Sequence, residues 1–353
     1  MSVAEAGATT IVITIGGITI PEDHQVSLTI DSDINQPDMA AITLYNQDHR
    51  YSSLQVADPV EITADGTSMY DGELVGLEPS YAAGEPATIT IRAMDRFHRL
   101  LRIKKSVTFT NQTDQQILQQ VVADAGLTLD WRHDTTITYK HVYQHNQTDM
   151  EFVRMRAARM GCHIWCVGTT LNIKQPDLSS FSGVNLTIDT ATGPGDQLRA
   201  FRPKMSSAPI AASVQVKGWD PETKQLFVGT ATAQASPLGA VNAATATGGL
   251  ASTDSATVDQ PIWSAEEANA LAAAKLQDKA LQFMTGEAEA IGDPKYVVAT
   301  VISLTINTQN AGDVFNGKYY VMGVSHRYMA SAKDMDGGFV TTFKLARDAE
   351  CGQ

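Results

Sequence analysis

Apolar and polar positions alternate through the first hundred residues. Ile11, Ile13 and Ile15 are interleaved with Val12 and Thr14, and Gly16-Gly17 supplies the turn before Ile18-Thr19-Ile20, which predicts a tight β-hairpin. The stretches "QVSLTI", "AAITLYN", "PVEITAD", "GELVGLEP" and "ATITIRAMD" follow, separated by clusters of Asp, Asn, Gly and Pro. That spacing is the spacing of an all-β barrel or sandwich, so roughly the first hundred residues are expected to form one β-domain.

From about Val107 the period changes. Ile117, Leu118, Val121, Val122 and Ala125 share one helical face, Thr113 with Gln116 makes a capping box, and Gly126 is the expected stop. A second helix repeats the design, with Thr148 and Glu151 as its cap, Phe152, Val153, Ala157 and Met160 as its apolar stripe, and Gly161 as its end. "CHIWCVGTTLNIKQP" then reads as a hairpin, and the whole is a small α/β module between β-rich segments. Beyond it, "ASVQVKGWDPETKQLFVG" is strand, turn at Asp220-Pro221, strand. Residues 230–260 collapse to Ala, Thr, Ser and Gly and predict a long loop. Ser264 with Glu267 caps the longest helix, over 264–285, with Ala273, Leu276, Ala280, Phe283 and Met284 along one side; strands return in "EAEAIG", "YVVATVISLTI", "GKYYVMGVSHRYM" and "GFVTTFKLARD".

Length and charge narrow the function. A chain of 353 residues exceeds one ordinary core and fits two or three domains. Its formal charge of -13 argues against a basic nucleic-acid-binding face. Three cysteines do not make a disulfide framework, and no signal peptide or membrane span is expected.

The densest chemistry lies in "YQHNQTDMEFVRMRAARMGCHIWC". On a strand Cys162, Ile164 and Cys166 point one way and His163 and Trp165 the other, so His163 cannot readily join both thiolates at a tetrahedral metal; buried structural cysteines are the expectation. His141 and His145 are read as solvated or capping, and Arg154, Arg156 and Arg159 as a solvated surface with room for one salt bridge. Walker, Rossmann, "HExxH" and "GxSxG" motifs are absent from the sequence, and Ser325 and His326 fall on opposite faces of a strand. No catalytic residue, cofactor or metal is assigned.

"MYDGELVGLEPSY", "ATITIRAMDRFHRLLRIKKSVTF", "TDQQILQQVVADAGL", "YQHNQTDMEFVRMRAARMGC", "VKGWDPETKQ", "SAEEANALAAAKL", "GEAEAIGDP" and "FNGKYYVMGVSHRY" together resemble the phage late control D family, in order from about Asp58 to Arg347. That family comprises baseplate hubs of contractile tails, the hub half of the valine-glycine-repeat spike proteins of type VI secretion, and the matching protein of extracellular contractile injection systems. The resemblance implies an α+β, mainly β fold: two tube-like β-barrels with the α/β module inserted. The first barrel would span 1–106, completed by 176–205, the module 107–175, and the second barrel 206–353. It also implies a homotrimeric structural hub, not an enzyme, that joins a six-fold inner tube to a three-fold spike on a separate polypeptide and contacts other baseplate proteins. Synthesis in the cytoplasm, incorporation in a phage tail-like particle, no nucleic-acid binding and no membrane insertion go with it. The structural signature carried over is Asp95, His98, Asn146, Thr148, Glu151, Gly161, Gly218, Trp219, Asp220 and Pro221. Alternatives of another class are a cell-wall or glycan-binding module and a tail-associated hydrolase, the latter needing a carboxylate pair or a Ser-His pair in a pocket.

Overall fold

The structure is a computed structural model and describes residues 9–133, 136–188, 198–220, 223–257, 262–330 and 337–351. The N-terminal strands are β1 (Ile11–Ile15), β2 (Ile18–Ile20), β3 (Gln25–Asp33), β4 (Met39–Tyr45), β5 (Pro59–Ala64), β6 (Thr67–Ser80) and β7 (Thr88–Asp95). Ile15 pairs with Ile18 across Gly16 and Gly17, whose φ angles of +57° and +80° are those of the tight hairpin turn. Alternation is obeyed: Ile11, Ile13, Ile15, Leu28, Ile30, Ile42, Ile62 and Ile91 fill one core while their strand neighbours face outward.

The inserted module follows as β8 (Lys104–Thr113), α1 (Asp114–Asp124), β9 (Thr128–Arg132), β10 (Thr138–Thr148), α2 (Asp149–Arg159), β11 (His163–Val167) and β12 (Thr170–Lys174). Both capping boxes are present: Thr113 accepts from the Gln116 amide and Thr148 from the Glu151 amide, and each Gln or Glu side chain reaches back to the cap. The apolar faces of both helices meet β8–β12 in a separate core around Phe109, Ile117, Phe152, Ile164 and Ile173.

The remaining elements are β13 (Phe181–Thr187), β14 (Leu198–Met205), β15 (Ala211–Asp220), β16 (Gln225–Thr232), β17 (Val241–Asn242), α3 (Ala243–Ala246), β18 (Ser252–Thr257), α4 (Ala265–Ala280), β19 (Met284–Ile291), β20 (Val301–Thr305), β21 (Gly317–Met329), β22 (Gly338–Arg347) and β23 (Ala349–Glu350). One thirteen-stranded sheet runs through both halves in the order β14-β19-β22-β21-β3-β4-β7-β6-β5-β1-β2, with β13 and β20 branching from β21. The long strand β21 makes this continuity possible. Its first residues pair with β20, its last with β3, and β22 accompanies nearly its whole length. The chain is thus mainly β, around one extended sheet.

Three expectations change. Segment 176–205 does not complete the N-terminal unit, because β13 pairs with β20 and β14 with β19, both strands of the C-terminal half. The stretch 230–260 is not a bare loop: its described residues form β17, α3 and β18, the last a parallel partner of β15. Small side chains weaken the sequence signal there, while backbone pairing needs none. Helix α4 ends at Ala280 rather than 285, and its buried face is Ala268, Leu271, Ala272 and Leu276, with Ala273 exposed. Met284 already pairs in β19 with Arg347, so the sheet captures the end of the predicted helix.

Candidate functional site

The signature residues fall in three places. Asp95 ends β7, and its Oδ1 accepts from the Phe97 amide at 3.0 Å, starting the short helix Arg96–Leu101. His98 is buried; its Nδ1 meets the Asp95 carbonyl at 2.6 Å and therefore donates, leaving Nε2 to accept from Arg102 at 3.0 Å. Asn146 sits at the bulge of β10 with φ +47°, and its amide donates to Ser106 Oγ; Thr148 and Glu151 cap α2. Gly161 closes α2 with φ +64°, and a Cβ there would lie 3.1 Å from Ala274, so this glycine permits α2 to abut α4. Gly218 likewise leaves space for Ile262, which a Cβ would approach to 2.6 Å. Asp220 is buried and accepts from Thr223 Oγ1 at 2.5 Å, whereas Trp219 is 55% exposed. Pro221 lies outside the described residues.

Two arginines contradict the solvated-surface expectation. Arg156 is 3% exposed and its guanidinium bonds Asp114 at 2.6 Å, over the ring of Tyr139. Arg159 bonds Glu267 at 2.6 Å, and so ties the module to α4. Helix α2 is covered on two sides, by the start of α1 and by α4, which leaves less of it to water than a polar stretch of sequence suggests. Cys162 and Cys166 belong to the module core as free thiols; burial pushes the Cys162 thiol up to about 12 and Cys166 upward too. Among the described residues no group of three or more His, Cys, Asp or Glu is arranged to hold a metal ion.

Strand β11 carries the module onto the sheet. Asn35, at φ +68° in the β3–β4 turn, donates from its amide to the Ile164 carbonyl at 2.7 Å and accepts from the Ile164 amide through Oδ1 at 2.9 Å. On the other face of β11, His163 meets the Tyr320 hydroxyl at 3.0 Å. Sequence reading gave Asn35 no role; the only local hint was Asn in a turn, a residue type that tolerates left-handed backbone.

Beside this strap lies a cavity of about 390 Å³ between the N-terminal strands, the module hairpin and the loop before β20. Asp38 and Asp95 line it, with Tyr70, Cys166 and His326. Burial, then the nearby Asp95 carboxylate, raises the Asp38 pKa well above the usual carboxylate range; burial lifts Asp95 to about 7. His326 is fully engaged, Nε2 with the Tyr296 carbonyl at 3.1 Å and Nδ1 with Thr341 Oγ1 at 2.9 Å, and burial lowers its pKa to about 4. This carboxylate pair is invisible to motif reading because fifty-seven positions, roughly, separate its members and only β4–β7 pairing unites them.

Two other surfaces remain. A groove of about 990 Å³ runs between α2, the end of α4 and strands β14, β19 and β22, with Met155, Ala158 and Leu281 among cationic Arg154, Arg202 and Lys344. On hairpin β15–β16, Trp219 pairs across strands with Leu226 and Lys217 with Val228, and Trp219, Leu226 and Val228 are all exposed. No helix among the described residues is long and apolar enough to cross a membrane.

The sequence profile described as the Alg8 N-terminal domain matches residues 5–330. No curated protein matches the chain. Among solved structures, the tail protein from Neisseria meningitidis MC58 is similar with a TM-score of 0.71 at 14% identity, covering 97% of each chain. The 43 kDa tail protein of prophage MuSo2 from Shewanella oneidensis gives 0.70 at 16%, covering 97% of this chain and 100% of the other. An E. coli component of the type VI secretion system, described as structurally similar to T4 bacteriophage tail proteins, gives 0.62 at 12%, covering 94% of this chain and 76% of the other. At these identities the likeness is one of fold.

Proposed function

We propose that this chain, which belongs to the Alg8 N-terminal domain family by its match over residues 5–330, is a structural hub of a contractile tail or injection particle, a reading supported by its tail-protein-like fold. The observation that carries the reading is the sheet: the N-terminal and C-terminal β-units are fused edge to edge through β21 and β3 in one chain. In this reading each unit acts as one tube-like barrel, so three chains offer six similar units to an inner tube and three-fold symmetry to a spike. Closing such a ring also covers strand edges that would otherwise template aggregation. The exposed Trp219, Leu226 and Val228 face serves contact between hub copies, since large apolar side chains grouped on one strand pair mark interaction surfaces. The signature residues shape turns, caps and close helix approaches, which suits assembly and assigns no chemistry.

The test is genetic and biochemical. Deleting the chain from a producing strain is expected to leave particles without assembled tubes, and re-supplying it should restore them. Normal particles formed in its absence would refute a hub role.

A further inference from the structure

The cavity beside the Asn35–Ile164 strap holds two polar atoms that no group among the described residues satisfies. Asp95 is 3% exposed and Tyr70 4%, yet among the described residues neither Asp95 Oδ2 nor the Tyr70 hydroxyl has a hydrogen-bond partner. A buried acceptor left unmade is costly, so such a pair facing a cavity marks a place where something else donates.

The charges around it define the donor. Asp38 and Asp95 face the space, and Asp31 and Asp33 on β3 add to the negative potential at Asp38. Those two have their own partners: Ser325 donates to Asp31 at 2.6 Å, and Lys344 bonds Asp33 at 2.7 Å. From β6, Asp71 is held at 2.8 Å by Arg96, whose charge also acts on Asp95. From β11, the Cys166 thiol is kept protonated by burial, and from β21 the His326 ring is neutral with both nitrogens engaged. Among the described residues, Asp38 and Asp95 are therefore left without a salt-bridge partner of their own. The walls change character towards solvent, where Val167 is 64% and Val297 50% exposed. An acidic floor beneath an apolar rim matches a group with a charged N–H head and an aliphatic stem.

We propose that this cavity is a binding site for an alkylammonium or alkylguanidinium group, with its head on Asp95 Oδ2, Asp38 and the Tyr70 hydroxyl and its stem against Val167 and Val297. A free small amine and a lysine or arginine side chain of a docked protein present the same chemistry. Binding would ionise the acid pair, so it releases protons and strengthens as pH rises. The site does not depend on the assembly role.

The test is methyl NMR on the full chain, reading Val167 and Val297 during titration with n-butylammonium, n-butylguanidinium and capped Gly-Lys-Gly and Gly-Arg-Gly peptides. Saturable shifts are expected with at least one of these cations. n-Butyltrimethylammonium, which has no N–H donor, should give none. Asp95→Asn keeps the acceptor for the Phe97 amide, and should weaken binding by about tenfold or more, with Tyr70→Phe weakening it less. Affinity should increase from about pH 6 to about pH 8. Free amines binding while the peptides do not would identify a small-molecule site, and peptide binding would identify a partner's side chain; either supports the assignment. Absence of saturable shifts with all four cations, equal binding of the trimethylated probe, or binding unchanged in Asp95→Asn would overturn it.

Discussion

Arg156 on α2 and Asp114 at the start of α1 form a dry ion pair inside the module, 2.6 Å apart with side chains 4% and 6% exposed. Burial opposes the arginine's charge and Asp114 restores it, leaving the guanidinium pKa raised. Breaking such a pair strands one charge in the core, and Arg156→Ala should cost about 3–5 kcal/mol in denaturant-unfolding free energy. Arg156→Met combined with Asp114→Leu should cost clearly less than the two single changes summed. Additive costs would show that the two side chains do not act as a pair.

The abutment of α2 on α4 makes a second prediction. Gly17 and Gly161 both have positive φ, but a Cβ at Gly17 meets nothing within 4 Å while one at Gly161 meets Ala274 at 3.1 Å. Gly17→Ala should therefore show only the backbone penalty, about 1 kcal/mol, and Gly161→Ala a larger loss. Hydrogen exchange in α4 should rise in Gly161→Ala alone. Equal losses would mean that the helix contact is loose.

Stability should respond to acid through two histidines. Burial lowers both His163 and His326 to about 4, below the ordinary value near 6.5. Between those values the unfolded chain takes up protons that the folded chain refuses, so their contribution is intact above about pH 6.5 and is lost as pH falls towards 4, by up to roughly 3 kcal/mol each. Asp95, lifted to about 7, works in the opposite sense: the folded state holds its proton between about pH 4 and 7, so its contribution falls as pH rises through that range. Asp95→Asn should thus be more stable relative to the parent at pH 8 than at pH 5, as measured by urea unfolding at each pH. A pH-independent difference would contradict the burial of that carboxylate.

Much of this architecture was legible in residue patterns, and what escaped has a common cause. Thr113–Gln116, Thr148–Glu151, Gly126 and the Gly16-Gly17 turn act within a few residues, and the structure has them as the sequence suggested. The Arg156–Asp114 pair, the Arg159–Glu267 bridge and the Asn35–Ile164 strap join residues 42, 108 and 129 positions apart, so no local period reports them. Strand β18 failed the pattern test for another reason: Ser, Thr, Asp and Ala carry little apolar signal, and its place is set by backbone pairing with β15. The acid pair of the cavity became visible only once β4 and β7 were set side by side.

The exposed hairpin face separates folding from assembly. Trp219→Ser with Leu226→Ser removes two large exposed side chains, and should change unfolding free energy by no more than about 0.5 kcal/mol. The same variant should fail to enter particles in the producing strain. A stable variant that assembles normally would remove this face from the hub contacts.

Imaging of the assembled particle bears most directly on the central claim. With the chain carrying a compact tag, averaged electron micrographs should place three copies in one ring between the end of the inner tube and the spike, each contributing two β-units to the layer facing the tube. Six copies in that layer, a single β-unit of each chain facing the tube, or tag density elsewhere on the particle would contradict the account.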